Sequence, residues 1–137
     1  MRRWGIMLGV LAAFALASAA CSSGSGSSGS HTVKVGLAEY SIAPDVQSVT
    51  AGDVTFDVTN DGTTLHEMVL IKTDDDPTGL PMENGEASEV GSVGEVADLK
   101  AGASGTLKVR LDPGTYVMIC NLPGHYVSGM RTAFTVS

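Results

Sequence analysis

The sequence predicts an all-β sandwich. From His31 onward, apolar residues alternate with polar or small ones in short runs, and turn signals separate those runs. Val33, Val35 and Leu37 show the two-residue period of a half-buried strand. Val54, Phe56 and Val58 repeat it between Gly52 and the turn Asn60-Asp61-Gly62. Residues 66–72 (HEMVLIK) are apolar on both faces, as expected of a central strand. Leu107, Val109 and Leu111 alternate again before Asp112-Pro113-Gly114 turns the chain. Tyr116 to Cys120 form another mostly apolar strand, and Ala133 to Val136 close the domain. About six or seven such strands predict an antiparallel β-sandwich.

Residues 73–102 depart from this pattern. Asp74-Asp75-Asp76-Pro77 opens the stretch, and Gly79, Pro81, Gly85, Gly91 and Gly94 punctuate it. It is expected to be a long irregular loop, with Val90, Val93, Val96 and Leu99 pinning part of it to the sandwich. Its acids (Asp74 to Asp76, Glu83, Glu86, Glu89 and Glu95) make a solvated surface, or a docking patch for a basic partner.

Residues 1–20 read as a signal peptide: Arg2 and Arg3, an apolar run from Trp4 to Ala17, then small residues. The run is short for a spanning helix and lacks a charged stop, so the chain is expected to be exported. Cys21 follows, and residues 21–30 (CSSGSGSSGS) form a Ser/Gly linker. A cysteine after small residues, with a flexible tether behind it, resembles the lipobox of bacterial lipoproteins. Ser18 stands where those boxes usually carry leucine. Lipidation at Cys21 would anchor the domain outside the cytoplasmic membrane; ordinary cleavage after Ala19 or Ala20 would leave it freely secreted or periplasmic. The nine Ser and Gly residues of the tether reach about 15–18 Å as a random coil.

Charge narrows the partners. The chain carries 8 basic and 15 acidic residues, a net of -7. Such a balance excludes nucleic acid, whose affinity comes largely from neutralised phosphates. It permits a basic protein partner and a soluble monomer.

Chemistry concentrates in residues 114–130 (GTYVMICNLPGHYVSGM). Cys120, His125 and Met130 follow one another with four residues between each pair. A thiolate, an imidazole and a thioether are soft donors that favour copper over hard cations. One more imidazole would complete a blue-copper site of two histidines, a cysteine and a weak axial methionine. Of the two remaining histidines, His66 opens a strand after a turn, whereas His31 stands just past the linker without a partner motif.

With His66 in place, two motifs carry a family resemblance: residues 60–66 (NDGTTLH) and residues 114–130. Over about residues 32–137, within a domain of residues 31–137, the chain resembles the cupredoxins, the type 1 blue-copper proteins of the plastocyanin and azurin superfamily. The loop spacing is similar to that of rusticyanin and its relatives. The resemblance implies a cupredoxin-like Greek-key β-sandwich that holds one copper ion. His66, Cys120 and His125 would be the strong ligands and Met130 the long axial sulfur. It also implies that Tyr116 bonds back to a nearby backbone group, and that Leu122, Pro123, Gly124 and Tyr126 surround His125 with apolar surface. Where the family often has asparagine after its first histidine, this chain has Glu67; Asn121 is expected to hydrogen-bond within the loop instead.

The function implied is a single-electron carrier that docks transiently with redox protein partners. An extracytoplasmic protein that binds or delivers copper is the alternative, but delivery sites usually use exposed methionine and histidine clusters. Copper oxidases and nitrite reductases need further histidines for a second metal centre, and only His31 remains, so no enzyme is expected. A binuclear copper centre would need two cysteines in the loop, which holds Cys120 alone.

Overall fold

Alternating valines, leucines and phenylalanines form strands whose apolar sides meet between two sheets. The computed structural model describes residues 29–137. The signal peptide, Cys21 and most of the linker therefore lie outside the described residues. In chain order the strands are β1 (His31–Ala38), β2 (Ser41–Pro44), β3 (Ser48–Val49), β4 (Gly52–Asn60) and β5 (His66–Lys72). They continue with β6 (Met82–Glu83), β7 (Glu86–Ala87), β8 (Ser92–Leu99), β9 (Ser104–Leu111), β10 (Gly114–Ile119) and β11 (Arg131–Val136).

One sheet runs β2-β1-β4-β9 and the other β3-β11-β10-β5-β8, while β6 and β7 form a separate hairpin. Pairing is not wholly antiparallel as expected. After the β1–β2 hairpin the chain lends β3 to the second sheet, then returns with β4 parallel to β1, setting Val33 beside Phe56 and Val35 beside Val58. The β3–β11 pair is parallel as well. Alternation in sequence specifies which face a residue takes, but not the direction of its neighbour.

The core lies between the sheets. Val33, Val35, Leu37, Phe56 and Val58 face Met68, Leu70, Tyr116, Met118 and Phe134 in one buried cluster. The rings of Phe56 and Phe134 meet edge to face with centroids 5.5 Å apart, the arrangement that aromatic quadrupoles favour. The Tyr116 hydroxyl donates to the Asp112 carbonyl at 2.8 Å, the brace expected at the base of β10.

The double-sided apolarity of β5 has a direct cause. Val69 and Ile71 point away from the main core, with Val117 and Ile119 beside them. Leu80, Ala87 and Tyr126 cover them in a second buried cluster. Residues 73–91 thus form a packed cover over the outer face of the second sheet. The expected loop is further corrected at β8, which pairs antiparallel with β5 through two register shifts. Val96 and Leu99 are buried and Val93 is partly buried, as expected, whereas Val90 is 85 % exposed. Gly94 and Gly105 let β8 and β9 approach: a Cβ at Gly94 would lie 2.7 Å from a Leu107 methyl, and one at Gly105 would lie 2.5 Å from a Val96 methyl.

Candidate metal centre

Two adjacent strands deliver the first two candidate ligands to one end of the second sheet. His66 is the first residue of β5, and Cys120 follows the last residue of β10. The antiparallel register of these strands, with Ile119 beside Val69, brings the start of one next to the end of the other. His125 and Met130 lie on the connection to β11. Backbone bonds shape that connection into a tight turn: His125 N–H donates to Leu122 O at 2.9 Å and Ser128 N–H to Gly124 O at 3.2 Å. Met130 closes it, donating its N–H to His125 O at 3.1 Å and accepting at its carbonyl from Cys120 N–H at 3.1 Å.

The side chains converge. His66 Nδ1 lies 3.2 Å from His125 Nδ1, and Cys120 Sγ lies 3.3 Å from the same nitrogen. The three donor atoms fall within 4.8 Å of one another and could hold a metal ion. His66 is 1 % exposed and Cys120 and Met130 are fully buried; only His125 keeps an edge toward solvent. The fold thus brings His66, Cys120 and His125 together, with Met130 buried at the end of the same loop. His31 stays apart, its ring 2.6 Å from the Thr50 hydroxyl.

The electrostatics suit a cation. Burial pushes the Cys120 thiol pKa up, opposed by the Glu67 N–H, which donates to Sγ at 3.5 Å. Burial first, and His125 second, push His66 below the usual imidazole range. A buried site that disfavours imidazolium offers free nitrogen lone pairs, and a metal ion takes the thiol as thiolate. Two imidazole nitrogens and a thiolate form the mixed soft donor set that suits copper.

Several residues behave differently from expectation. Glu67 keeps the tie between the two ligand segments, because its Oε1 accepts from Asn121 N–H at 3.1 Å. Burial raises the Glu67 pKa, and that N–H opposes the shift. The Asn121 side chain points out of the ligand loop. It accepts from Ala87 N–H at 2.8 Å, and donates to Ala87 O at 2.9 Å and to Glu89 at 2.8 Å. Tyr126 likewise turns away from the His125 surface: it is buried, accepts from Leu80 N–H at 3.1 Å and donates to Pro77 O at 2.7 Å. The exposed apolar residues at this end include Tyr40, Leu65 and Val127. A cavity of about 260 Å³ beside the histidines is lined by Glu39, Tyr40, Thr64, His66, Pro123 and His125, among others.

Two residues at this end were missed from sequence. Asn60, fully buried, donates to Thr64 O and Leu99 O, both at 2.7 Å, and accepts from Gly62 N–H at 2.9 Å. It fixes the turn that leads into His66, and its signal was the Asn-Asp-Gly turn already visible. Glu39 comes from the turn after β1 and reaches the same segment, where N–H groups of Thr63 and Thr64 hold its pKa down to about 2. No local pattern marks it.

A two-sheet sandwich with buried nitrogen and sulfur donors gathered at one end defines a small metal-binding β-protein. The chain belongs to the cupredoxin-like domain family, whose model matches residues 6–133. It is 50 % identical to auracyanin-B of Chloroflexus aurantiacus over 42 residues, 30 % of this chain and 18 % of that protein. The solved structure of auracyanin B is 29 % identical and covers 78 % of this chain and 88 % of its own, with a TM-score of 0.63. Auracyanin A, a blue copper protein from Chloroflexus aurantiacus, is 20 % identical over 80 % of this chain and all of its own, with a TM-score of 0.60. Rusticyanin from Thiobacillus ferrooxidans is 20 % identical over 77 % of each chain, with a TM-score of 0.56. At that identity the last two establish the shared fold.

Proposed function

We propose that this chain is a type 1 copper protein that carries single electrons between redox partners outside the cytoplasmic membrane. The observation that carries this reading is the convergence of one ring nitrogen each from His66 and His125 with Cys120 Sγ, all within 4.8 Å, at a buried sandwich end. Membership of the cupredoxin-like family supports one copper ion as the cofactor. His66, Cys120 and His125 would hold it, with the Met130 thioether as a further donor. Bound there, copper supplies a one-electron couple between Cu(I) and Cu(II).

The protein's part is rigidity and access. His66 and Cys120 sit at strand ends locked by the β5–β10 pairing, and the backbone of Met130 ties Cys120 to His125. Such a frame resists rearrangement when the charge of the site changes, which keeps electron transfer fast. Burial of Cys120 excludes water from the sulfur. The partly exposed edge of His125, with Pro123 and Val127 near it in the loop, is the short route for an electron to a partner docked there. Small transient interfaces suit such exchange. On this reading the chain acts as a monomeric carrier rather than an enzyme.

Adding Cu(II) to the purified protein and recording its visible spectrum tests the reading: an intense thiolate-to-copper band is expected, and a colourless protein would end it. Met130→Gln should keep the colour and lower the reduction potential, because a harder axial oxygen favours Cu(II). A potential equal to that of the wild type would remove Met130 from the ligand set.

The same reading places the domain (31–137) on a lipid anchor at Cys21, behind a cleaved leader of residues 1–20. Among the described residues no helix is long and apolar enough to cross a membrane. Metabolic labelling with palmitate should mark the wild type and fail in Cys21→Ser. Unlabelled wild type would mean a freely secreted protein, and persistent labelling of the variant would move the lipid elsewhere.

A further inference from the structure

Glu39 lies outside the donor set, yet one of its oxygens faces a candidate ligand. Glu39 Oε1 accepts from the backbone N–H groups of Thr63 and Thr64 at 2.7 and 2.9 Å, and from their hydroxyls at 3.1 and 3.2 Å. The same oxygen stands 3.6 Å from His66 Nε2. Among the described residues, Nε2 is the one buried side-chain nitrogen or oxygen without a hydrogen-bond partner. The other ring nitrogen, Nδ1, lies 3.2 Å from His125 Nδ1, which Cys120 Sγ approaches at 3.3 Å. Gly62 keeps the approach between carboxylate and imidazole open. A Cβ there would sit 2.8 Å from Oε1 and 3.0 Å from Nε2.

We propose that Glu39 is a positioning residue: its carboxylate accepts a hydrogen bond from His66 Nε2–H and so turns Nδ1, with its lone pair, toward the metal. An ionised carboxylate only accepts hydrogen bonds, whereas a neutral imidazole carries one donor and one acceptor nitrogen. Facing Glu39, Nε2 must be the donor, which leaves Nδ1 as the free base. The present separation becomes a hydrogen bond after a shift of about half an ångström. Partners of this kind fix ring orientation and raise ligand basicity at metal centres. The Glu39 charge also favours the more positive oxidation state of a bound ion. The inference rests on the copper reading for the identity of the metal, but the tautomer of His66 can be measured without any metal.

Long-range proton–nitrogen NMR of the metal-free full chain, at mildly alkaline pH, reads that tautomer. The wild type should carry its proton on Nε2, with slow exchange against solvent. Glu39→Gln keeps an oxygen for Thr63 and Thr64 but removes the charge. It should speed exchange of the Nε2 proton several-fold, mix the tautomers and, with copper loaded, raise the potential while the thiolate band persists. Glu39→Ala should in addition lower copper affinity about ten-fold. A wild type protonated on Nδ1, or a Gln variant with wild-type tautomer, exchange and potential, overturns the assignment and leaves Glu39 as a brace of the turn. A wild type without the thiolate band would refute the copper reading instead, and the metal-free tautomer would still decide the role of Glu39.

Discussion

Cys120→Ser should abolish the thiolate-to-copper absorption band completely while leaving a folded sandwich. Cys120 is fully buried at the end of β10, among residues of the main core. Serine is close to it in size, and its hydroxyl can still accept the Glu67 N–H that now points at Sγ. The structural cost is about 1–2 kcal/mol, that of burying one imperfectly bonded hydroxyl. The chemical cost is total, because a serine hydroxyl does not ionise near neutral pH and offers no soft sulfur. Visible spectroscopy with Cu(II), alongside thermal unfolding followed by circular dichroism, separates the two effects. A band that survived would have to come from another sulfur, and the remaining cysteine, Cys21, lies in the leader–linker junction.

Asn121→Ala is expected to give the opposite signature: a large loss of stability with the colour kept. The Asn121 side chain makes a two-way bond with the Ala87 backbone and a third bond to Glu89. Alanine would leave the N–H and C=O of a 5 % exposed residue without partners. At the usual penalty for buried unsatisfied groups the cost is about 2–4 kcal/mol. The bond from Asn121 N–H to Glu67 belongs to the backbone and survives, so the sulfur environment should hardly change. Denaturant unfolding measures the first effect and the absorption maximum the second. Hydrogen exchange should also accelerate at the Ala87 amide. Wild-type stability would mean that water replaces the lost bonds, and a lost band would mean that Asn121 supports the sulfur directly.

Much of the molecule was legible in the sequence, and what was hidden shares a physical cause. Strands β1, β4, β9 and β11 could be read because a two-residue period reports burial on one face, and β5 and β10 because apolar runs mark burial on both. The donor spacing could be read because three donors share one loop and the fourth opens a strand. Strand β8 was obscured by Gly94, by exposed acids and by two register shifts, all of which break alternation. The cover formed by residues 73–91 left its trace on the opposite partner, in the double-sided apolarity that Val69 and Ile71 give β5. Parallel pairing left no trace, since strand direction has no pattern of its own. Glu39 acts across a turn from a distant part of the chain, and loop residues such as Asn121 and Tyr126 have no period to say which way they point. Glu67 stands where the family often has asparagine, and its accepting oxygen at the right reach serves the Asn121 N–H.

The direction taken by Asn121 and Tyr126 bears on how this centre could be transplanted. Each follows a candidate ligand by one residue, and each is bonded to the acidic cover: Asn121 to Ala87 and Glu89, Tyr126 to Pro77 and Leu80. The ligand loop and residues 77–89 are therefore a single exchangeable module. A graft of residues 120–130 alone onto another sandwich would strand two buried polar side chains, each one residue beyond a candidate ligand. A graft that carries both segments would bring its own supports.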